Sequence, residues 1–217
     1  DDDTFTVEYG TDGQTVKITY MDATNGWIPT LDKTVADVPF KGNDNGIFGY
    51  GYDASTYTAV TNLVSNVGVV ATDVTGVGTA RSAIAATQYG GDKGIFGYGN
   101  TGSYVSMTNL VSNSGVVAAD VSGVGTARSG LAGCSYGEDK GIFGYGTTGS
   151  VTAVSNLVSN SGVIAADVSG VGTARNELAA CSYGSKRDKG IFGYGYTSSV
   201  VSVSNLVSNV GVVASDV

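Results

Sequence analysis

Short runs in which apolar and polar residues alternate cover most of the chain. In one stretch the runs span residues 176–183, 190–195, 200–208 and 210–217, and they are rich in Val, Ile, Thr, Tyr and Phe. Gly, Asn, Asp and Ser separate the runs, as expected at turns. β-Branched and aromatic residues favour strands, and the apolar positions do not keep a helical spacing. The pattern therefore predicts an all-β protein with no helix longer than one turn.

The same runs are repeated along residues 46–217. The hexapeptide Gly-Ile-Phe-Gly-Tyr-Gly begins at Gly46, Gly94, Gly141 and Gly190, so the repeats are 47–49 residues long. Four strands in about 47 residues match one blade of a β-propeller. We expect about four four-stranded blades, in a propeller or an arc of one. Residues 35–40 would supply the first strand that the first blade lacks, or chain beyond Val217 would continue the ring; we favour continuation, because four blades is the lower limit for propellers.

Residues 1–45 lie outside the repeats and form a separate predicted domain. Apolar residues alternate with polar ones at 5–9 and again at 16–20, on either side of a Gly-rich turn. This arrangement predicts a β-hairpin at 4–20. Asn25-Gly26-Trp27 predicts a second turn, and residues 34–45 a junction to the repeats. Because so small a hairpin is marginal alone, we expect it to be an adaptor that packs on a partner.

Composition and charge exclude several classes of function. The 217 residues include no His, which excludes His-dependent proteases and imidazole-bound zinc. With 11 Lys and Arg against 19 Asp and Glu, the net charge is −8, so we expect no nucleic-acid partner. No apolar run reaches 18 residues, so we expect no membrane insertion. The acids outside the repeat pattern, Asp53, Glu138 and Glu177, fall in different copies, so we expect no catalytic residues, no enzyme activity and no cofactor or metal.

Two cysteines occupy one position of the repeat. Cys134 and Cys181 stand where the first complete copy has Thr87, and a position that accepts Thr is not a catalytic nucleophile. We expect small buried residues. A disulfide between them would favour a stacked solenoid, because equivalent strands of adjacent propeller blades should lie too far apart for one.

Several motifs follow one another in the order of a kelch-type blade. From Arg128 the chain reads Arg-Ser-Gly-Leu-Ala-Gly-Cys-Ser-Tyr-Gly, and then Asp-Lys and Gly-Ile-Phe-Gly-Tyr-Gly. Ser-Asn-Leu-Val-Ser-Asn begins at Ser155, and Val-Gly-Thr-Ala-Arg ends at Arg175. This order resembles the first three strands and the inter-blade link of a kelch repeat. The chain departs from that family in two respects, because Gly-Tyr-Gly replaces the adjacent Gly pair and the blade Trp is absent.

The amino-acid sequence of the repeat also resembles kelch-like arrays in tail-fibre and other virion proteins of tailed phages, notably marine cyanophages. Residues 22–27 resemble short β elements of such fibres. The resemblance implies a non-enzymatic structural and adhesion module of the virion, whose loops recognise a host surface. It implies other virion or fibre proteins as partners, a homo-oligomer, and a host-surface glycan or protein as ligand. The alternative is a kelch-like binding protein that a bacterium secretes or displays on its surface.

Residues that recur in every copy are expected to serve the scaffold. Ile47, Phe48, Tyr50 and their copies should fill the layers between blades, with an aromatic sugar platform as the alternative. One Arg per repeat follows an Asp by eight residues. We expect structural pairs or clamps on backbone carbonyls between blades, and a ring of ligand contacts is the alternative. These residues are Asp73, Arg81, Asp120, Arg128, Asp167 and Arg175.

Residues that differ between copies are the candidates for binding. The variation is concentrated between the second and third strands, at 52–57, 100–104, 147–150 and 196–199. Tyr rings there are rigid and amphipathic, which suits stacking on sugars or on a protein surface. Neutral drift of exposed loops is the alternative. The predicted binding residues are Tyr52, Tyr57, Tyr104 and Tyr196, and Lys186 and Arg187, on the opposite face, should matter less.

Overall fold

The computed structural model describes residues 17–22, 24, 26–30 and 43–217, and the chain divides into two compact units, Asp1–Lys41 and Gly42–Val217. In the first unit, strand β1 (Lys17–Asp22) pairs antiparallel with strand β2 (Gly26–Thr30). The chain thus reverses at the predicted second turn. The other half of the predicted hairpin at 4–20 lies outside the described residues, as do residues 35–40.

The second unit contains four small antiparallel sheets, and each sheet is centred on one copy of the hexapeptide. The strands are β3 (Gly46–Tyr52), β4 (Tyr57–Val64), β5 (Ala85–Tyr89), β6 (Lys93–Asn100), β7 (Tyr104–Val111), β8 (Ala132–Tyr136), β9 (Lys140–Gly144), β10 (Ser155–Val158), β11 (Ala179–Tyr183), β12 (Lys189–Gly193) and β13 (Ser204–Val207). The first sheet pairs β3 with β4. The second, third and fourth sheets have the orders β5-β6-β7, β8-β9-β10 and β11-β12-β13. A 3-10 turn at Ser185–Arg187 is the one helical element of the described residues, so the all-β prediction is confirmed.

The fourth strand predicted for each repeat is not a continuous strand. In the first repeat the outer segment touches β4 at two isolated bridges, Thr61 with Val74 and Val64 with Val70. The bridges are three residues apart on β4 but four apart on the outer segment, so a regular ladder cannot run through both. Between them, the Asn62 side chain donates a hydrogen bond to a carbonyl of the outer segment at 3.1 Å. The same bridges recur in the second and third repeats.

Consecutive sheets pack on one another through an aromatic layer. Tyr98 on β6 meets Phe143 on β9 edge to face, with ring centroids 5.5 Å apart, and both side chains are buried. Phe143 also lies over Gly97, where a Cβ would come within 3.1 Å of the ring. Glycine at this position therefore lets the next sheet approach closely. Equivalent contacts join Tyr50 to Phe96 and Tyr145 to Phe192.

Two copies of these core positions are exposed. Phe48 occupies the position of Phe143 on the first sheet, and its side chain is 64% exposed. Tyr194 occupies the position of Tyr98 on the fourth sheet and is 68% exposed. Within the described residues neither ring is covered by a neighbouring sheet. The sequence predicts that both residues pack between sheets, but only their equivalents in the other copies do so.

Candidate functional site

The predicted binding tyrosines lie where the second strand of a sheet turns into the third. On the first sheet Tyr52 ends β3 and lies directly opposite Tyr57 at the start of β4. Their ring centroids are 5.1 Å apart at an interplanar angle of 50°. The Tyr57 hydroxyl donates to Asn100 Oδ1 of the second sheet at 3.0 Å, which holds that ring in place. Tyr52 is 55% exposed. Its ring is therefore accessible to a ligand and packs against Tyr57, which the hydrogen bond to Asn100 holds in place.

The other two tyrosines occupy equivalent positions on other sheets. Tyr104 begins β7 opposite Asn100, and Tyr196 lies opposite Val200 on the fourth sheet. Both side chains are exposed. The four residues therefore mark the same end of three sheets, and we call them the hairpin-end tyrosines: Tyr52, Tyr57, Tyr104 and Tyr196.

A concavity beside Tyr196 adds a residue that the sequence did not single out. It has a volume of about 570 Å³, and its lining includes Glu177, Tyr194, Tyr196 and Val200. Tyr194 belongs to the invariant hexapeptide, so repetition alone assigned it to the core. Only its exposure in the folded chain identifies it as a second ring available beside Tyr196.

The repeated arginines are buried clamps between sheets. The side chain of Arg128 has no exposed surface, and its guanidinium lies over the Tyr98 ring, 4.2 Å from the centroid. Its backbone carbonyl accepts a hydrogen bond from Gly99 of the same second sheet at 2.9 Å. Its Nε donates to the carbonyl of Tyr145 on the third sheet at 2.8 Å. Arg81 and Arg175 make the same contacts one repeat earlier and one repeat later.

Asp120, Asp167 and Asp216 each bind the link that precedes their own sheet, whereas Asp73, within the described residues, accepts only from Asn62. Asp167 accepts hydrogen bonds from the backbone N–H and the hydroxyl of Thr126, and from Asn156 Nδ2 at 2.9 Å. Burial alone would raise the pKa of this carboxyl, but the hydrogen bonds from Thr126 and Asn156 outweigh it, and the pKa is lowered. Asp120 binds Thr79 in the same way and lies 3.9 Å from Arg81. Asp120 and Asp167 thus bind the link that carries the arginine of the preceding repeat, not the one that follows them by eight residues.

The remaining residues that the sequence singled out differ in burial and in the pKa of their side chains. Both cysteines are free thiols; Cys134 is buried as predicted, which raises the pKa of its thiol to about 12, whereas Cys181 is exposed and that prediction was wrong for it. Hydrogen bonds from the backbone and side chains of residues 55 and 56 lower the pKa of Asp53 to about 2, so it caps its own loop as a carboxylate. No cluster of three or more His, Cys, Asp or Glu side chains occurs among the described residues. Lys186 is exposed, whereas Arg187 Nη1 donates to Gln88 Oε1.

A larger cavity of about 730 Å³ lies among the first strands of the sheets. Its lining includes the edge residues Gly46 and Ile47 of β3, together with Thr87, Cys134 and Cys181. The first strands are in contact here, since the Ser135 and Ser182 hydroxyls are 2.7 Å apart. Because the first strands of neighbouring sheets lie so close together, only small side chains fit between them at this point.

Comparison with known proteins gives a likeness of fold only. No protein-family model and no curated protein matches the chain. The solved structures that resemble it include that of YjhT, which has 14% sequence identity and a TM-score of 0.54 over 69% of this chain. The chain spans 49% of the length of that protein. Among the residues described here, no helix is long and apolar enough to cross a membrane.

Proposed function

We propose that the chain is a non-enzymatic adhesion and structural module of a phage virion or tail fibre, built as a kelch-like β-propeller or an arc of one. The observation that carries this proposal is the division of the repeat into two parts. The invariant Arg, Tyr and Phe residues form a buried layer between sheets, except Phe48 and Tyr194, which are exposed. The residues that vary form the exposed hairpin ends.

The buried layer supports the proposal because it makes a rigid frame. Each arginine holds two sheets with three kinds of contact, and its fork of donors suits backbone carbonyls. The hairpin-end tyrosines then project from fixed strands. Function in repeat proteins of this kind is placed on loops over such a frame.

The chemistry of the hairpin ends favours weak, multivalent binding to a surface. Tyr52 and Tyr57 form a tilted pair of rings, and Tyr194 and Tyr196 lie beside a shallow concavity that also contains Glu177. Aromatic faces stack on sugar rings, and a carboxylate accepts hydrogen bonds from sugar hydroxyls. Several such sites on one particle raise the overall affinity without strong single contacts. We therefore propose a host-surface glycan or protein as the ligand, and other virion or fibre proteins and further copies of the chain as partners.

The same surface would serve a kelch-like protein that a bacterium secretes or displays, which is the second candidate. The two differ in where the chain is found. Mass spectrometry of purified phage particles should detect its peptides under the first proposal. Their absence from particles and presence in a bacterial secreted or envelope fraction would support the second.

Binding is tested with the purified chain on a glycan array and on intact bacterial cells. Replacing the four hairpin-end tyrosines by Ser should reduce binding at least tenfold, while Lys186→Ser together with Arg187→Ser serves as the matched control on the predicted opposite face. If the tyrosine variant still binds and the control does not, the ligand binds the opposite face and the predicted face is wrong. Binding that survives both changes would make the array a spacer.

A further inference from the structure

One continuous segment of each of the first three repeats makes its strand pairing and its Thr and Arg side-chain hydrogen bonds on the sheet that follows it, while its Arg also stacks on a Tyr of the preceding sheet. In residues 78–89, Thr79 donates its N–H and hydroxyl to Asp120, and Arg81 donates to the Tyr98 carbonyl at 2.8 Å and to Asn109 Oδ1 at 2.6 Å. The segment then continues as β5, which pairs antiparallel with β6. Residues 125–136 and 172–183 pair in the same way with the third and fourth sheets. In both, the Thr hydroxyl donates to the Asp carboxylate and the Arg Nε donates to the Tyr carbonyl of that sheet. We call these the docking segments.

The first sheet carries the receiving groups of such a segment in the same arrangement. Asn62 Nδ2 lies 2.8 Å from Asp73 Oδ1, which matches the 2.9 Å between Asn109 and Asp120 on the second sheet. Tyr50 occupies the position of Tyr98 and supplies the equivalent carbonyl. Within residues 43–217, the Asp73 carboxylate accepts its hydrogen bonds from Asn62 alone, and its side chain is exposed.

The strand edge beside these groups is also open. Among the described residues β3 pairs only with β4, so its other edge has no strand partner. The cavity of about 730 Å³ reaches this edge at Gly46 and Ile47. An unpaired strand edge with free backbone donors and acceptors is a template for strand addition.

We propose that the first sheet binds, from another repeat-bearing chain, an extended segment with the pattern of a docking segment: Gly-Thr-x-Arg, three residues, then a five-residue strand of mostly small residues that ends in Tyr. The Thr would donate to Asp73, and the Arg to Asn62 Oδ1 and the Tyr50 carbonyl. The small residues would pair antiparallel with β3 along 45–49, in the register of β5 on β6. On the other three sheets the equivalent Asp and Tyr carbonyl accept these hydrogen bonds from a docking segment, and on the second sheet the Asn Oδ1 does so as well.

Charge and size together select this partner. The carboxylate of Asp73 favours a segment with a cation and hydroxyl or N–H donors, and a guanidinium forms stronger hydrogen bonds than a neutral group. The neighbouring first strands are built mostly of small residues, Ala, Gly, Thr, Cys and Ser, before their terminal Tyr, which fits a segment of the same composition. A whole repeat in this place would also put its Tyr ring on Phe48, which is otherwise exposed. This contact is distinct from the ligand binding proposed above, because it uses none of the hairpin-end tyrosines.

The probe is a fluorescent peptide with the sequence of residues 78–89, which lacks Cys, titrated with the 217-residue chain. We expect saturable binding and protection of the amides of β3 from hydrogen exchange. Arg81→Ala or Thr79→Val in the peptide should each weaken binding at least tenfold. Asp73→Ala in the protein should do the same, and Asp53→Ala, which removes another exposed carboxylate, should leave binding unchanged.

Three results would overturn the proposal: no saturable binding at 1 mM peptide, equal binding of the Arg81→Ala peptide, or protection on the second to fourth sheets without protection of β3. The peptide variants keep the test valid even if Asp73→Ala lowers the stability of the protein. Glycan or cell binding by the hairpin ends should be unaffected by the peptide, so failure of one proposal leaves the other standing.

Discussion

The guanidinium of Arg128 lies 4.2 Å from the centroid of the Tyr98 ring, although the two residues are 30 positions apart and the arginine donates to the next sheet. The ring in turn meets Phe143 edge to face. A single column of Arg, Tyr and Phe thus joins two sheets, and it recurs at each junction between sheets. This column explains why these residues are invariant in the repeat.

Removing the arginine should destabilise the array strongly. Arg128→Met leaves the buried carbonyl of Tyr145 and the partly buried carbonyl of Thr126 without this donor, and we expect a loss of about 3–5 kcal/mol in the free energy of unfolding. Arg128→Lys should recover little of this loss, because an ammonium cannot stack and donate in a fork. Urea unfolding followed by fluorescence measures both. Lys186→Met, at an exposed site, should change stability by less than about 0.5 kcal/mol.

The two environments of the same phenylalanine give a matched pair of variants. Phe143→Ala should cost about 3–5 kcal/mol because it opens a cavity between two sheets. Phe48→Ala should cost less than about 1 kcal/mol because that ring is already mostly exposed. Equal losses in the two variants would mean that Phe48 is covered in solution as Phe143 is.

Repetition was enough to predict the inner strands and most of the layer residues, because a position such as Phe143 must fit the same neighbours in each internal copy. It did not predict the partner of Arg128. An Asp eight residues before each Arg is equally consistent with a pair inside one repeat and a contact to the next, and only the packing of Asp167 against Thr126 decides. The prediction of a continuous outer strand was wrong, because the register shifts and the Asn62 side chain, not a backbone N–H, donates to the outer segment. Exposure of Tyr194 could not be read from an invariant motif.

The array should lose stability in acid as its linking carboxylates are protonated. The pKa values of Asp120, Asp167 and Asp216 are lowered in the folded chain by hydrogen bonds from Thr and Asn, which outweigh burial at Asp120 and Asp167. A lowered folded-state pKa gives stability that is present above the ordinary carboxyl pKa, near 4, and is lost as the pH falls through the folded value. Urea midpoints should therefore fall between about pH 5 and pH 2. The fall should be smaller in Asp167→Asn, and an unchanged slope in that variant would contradict the assignment.

Gly125 in the link is required both for its positive φ and for lack of space, and a comparison with Gly149 separates the two effects. Gly125 has φ of +75°, and a Cβ there would collide with Asp167 Oδ1. Gly149 also has a positive φ, +105°, but nothing lies within 4 Å of its Cβ position. Both Gly→Ala variants should pay backbone strain of about 1–2 kcal/mol. Gly125→Ala should lose a further ~1–3 kcal/mol from the collision, and thermal unfolding would reveal the difference.

A double-mutant cycle on Arg128 and Tyr98 tests the central claim, that stacked Arg–Tyr columns hold consecutive sheets together. Arg128→Met, Tyr98→Leu and the double variant are unfolded in urea beside the unmodified chain. We predict that the double variant is more stable than the sum of the single losses implies, with a coupling of about 1–2 kcal/mol. Losses that add within about 0.5 kcal/mol would contradict the claim, because the two side chains would then not act as one contact between the sheets.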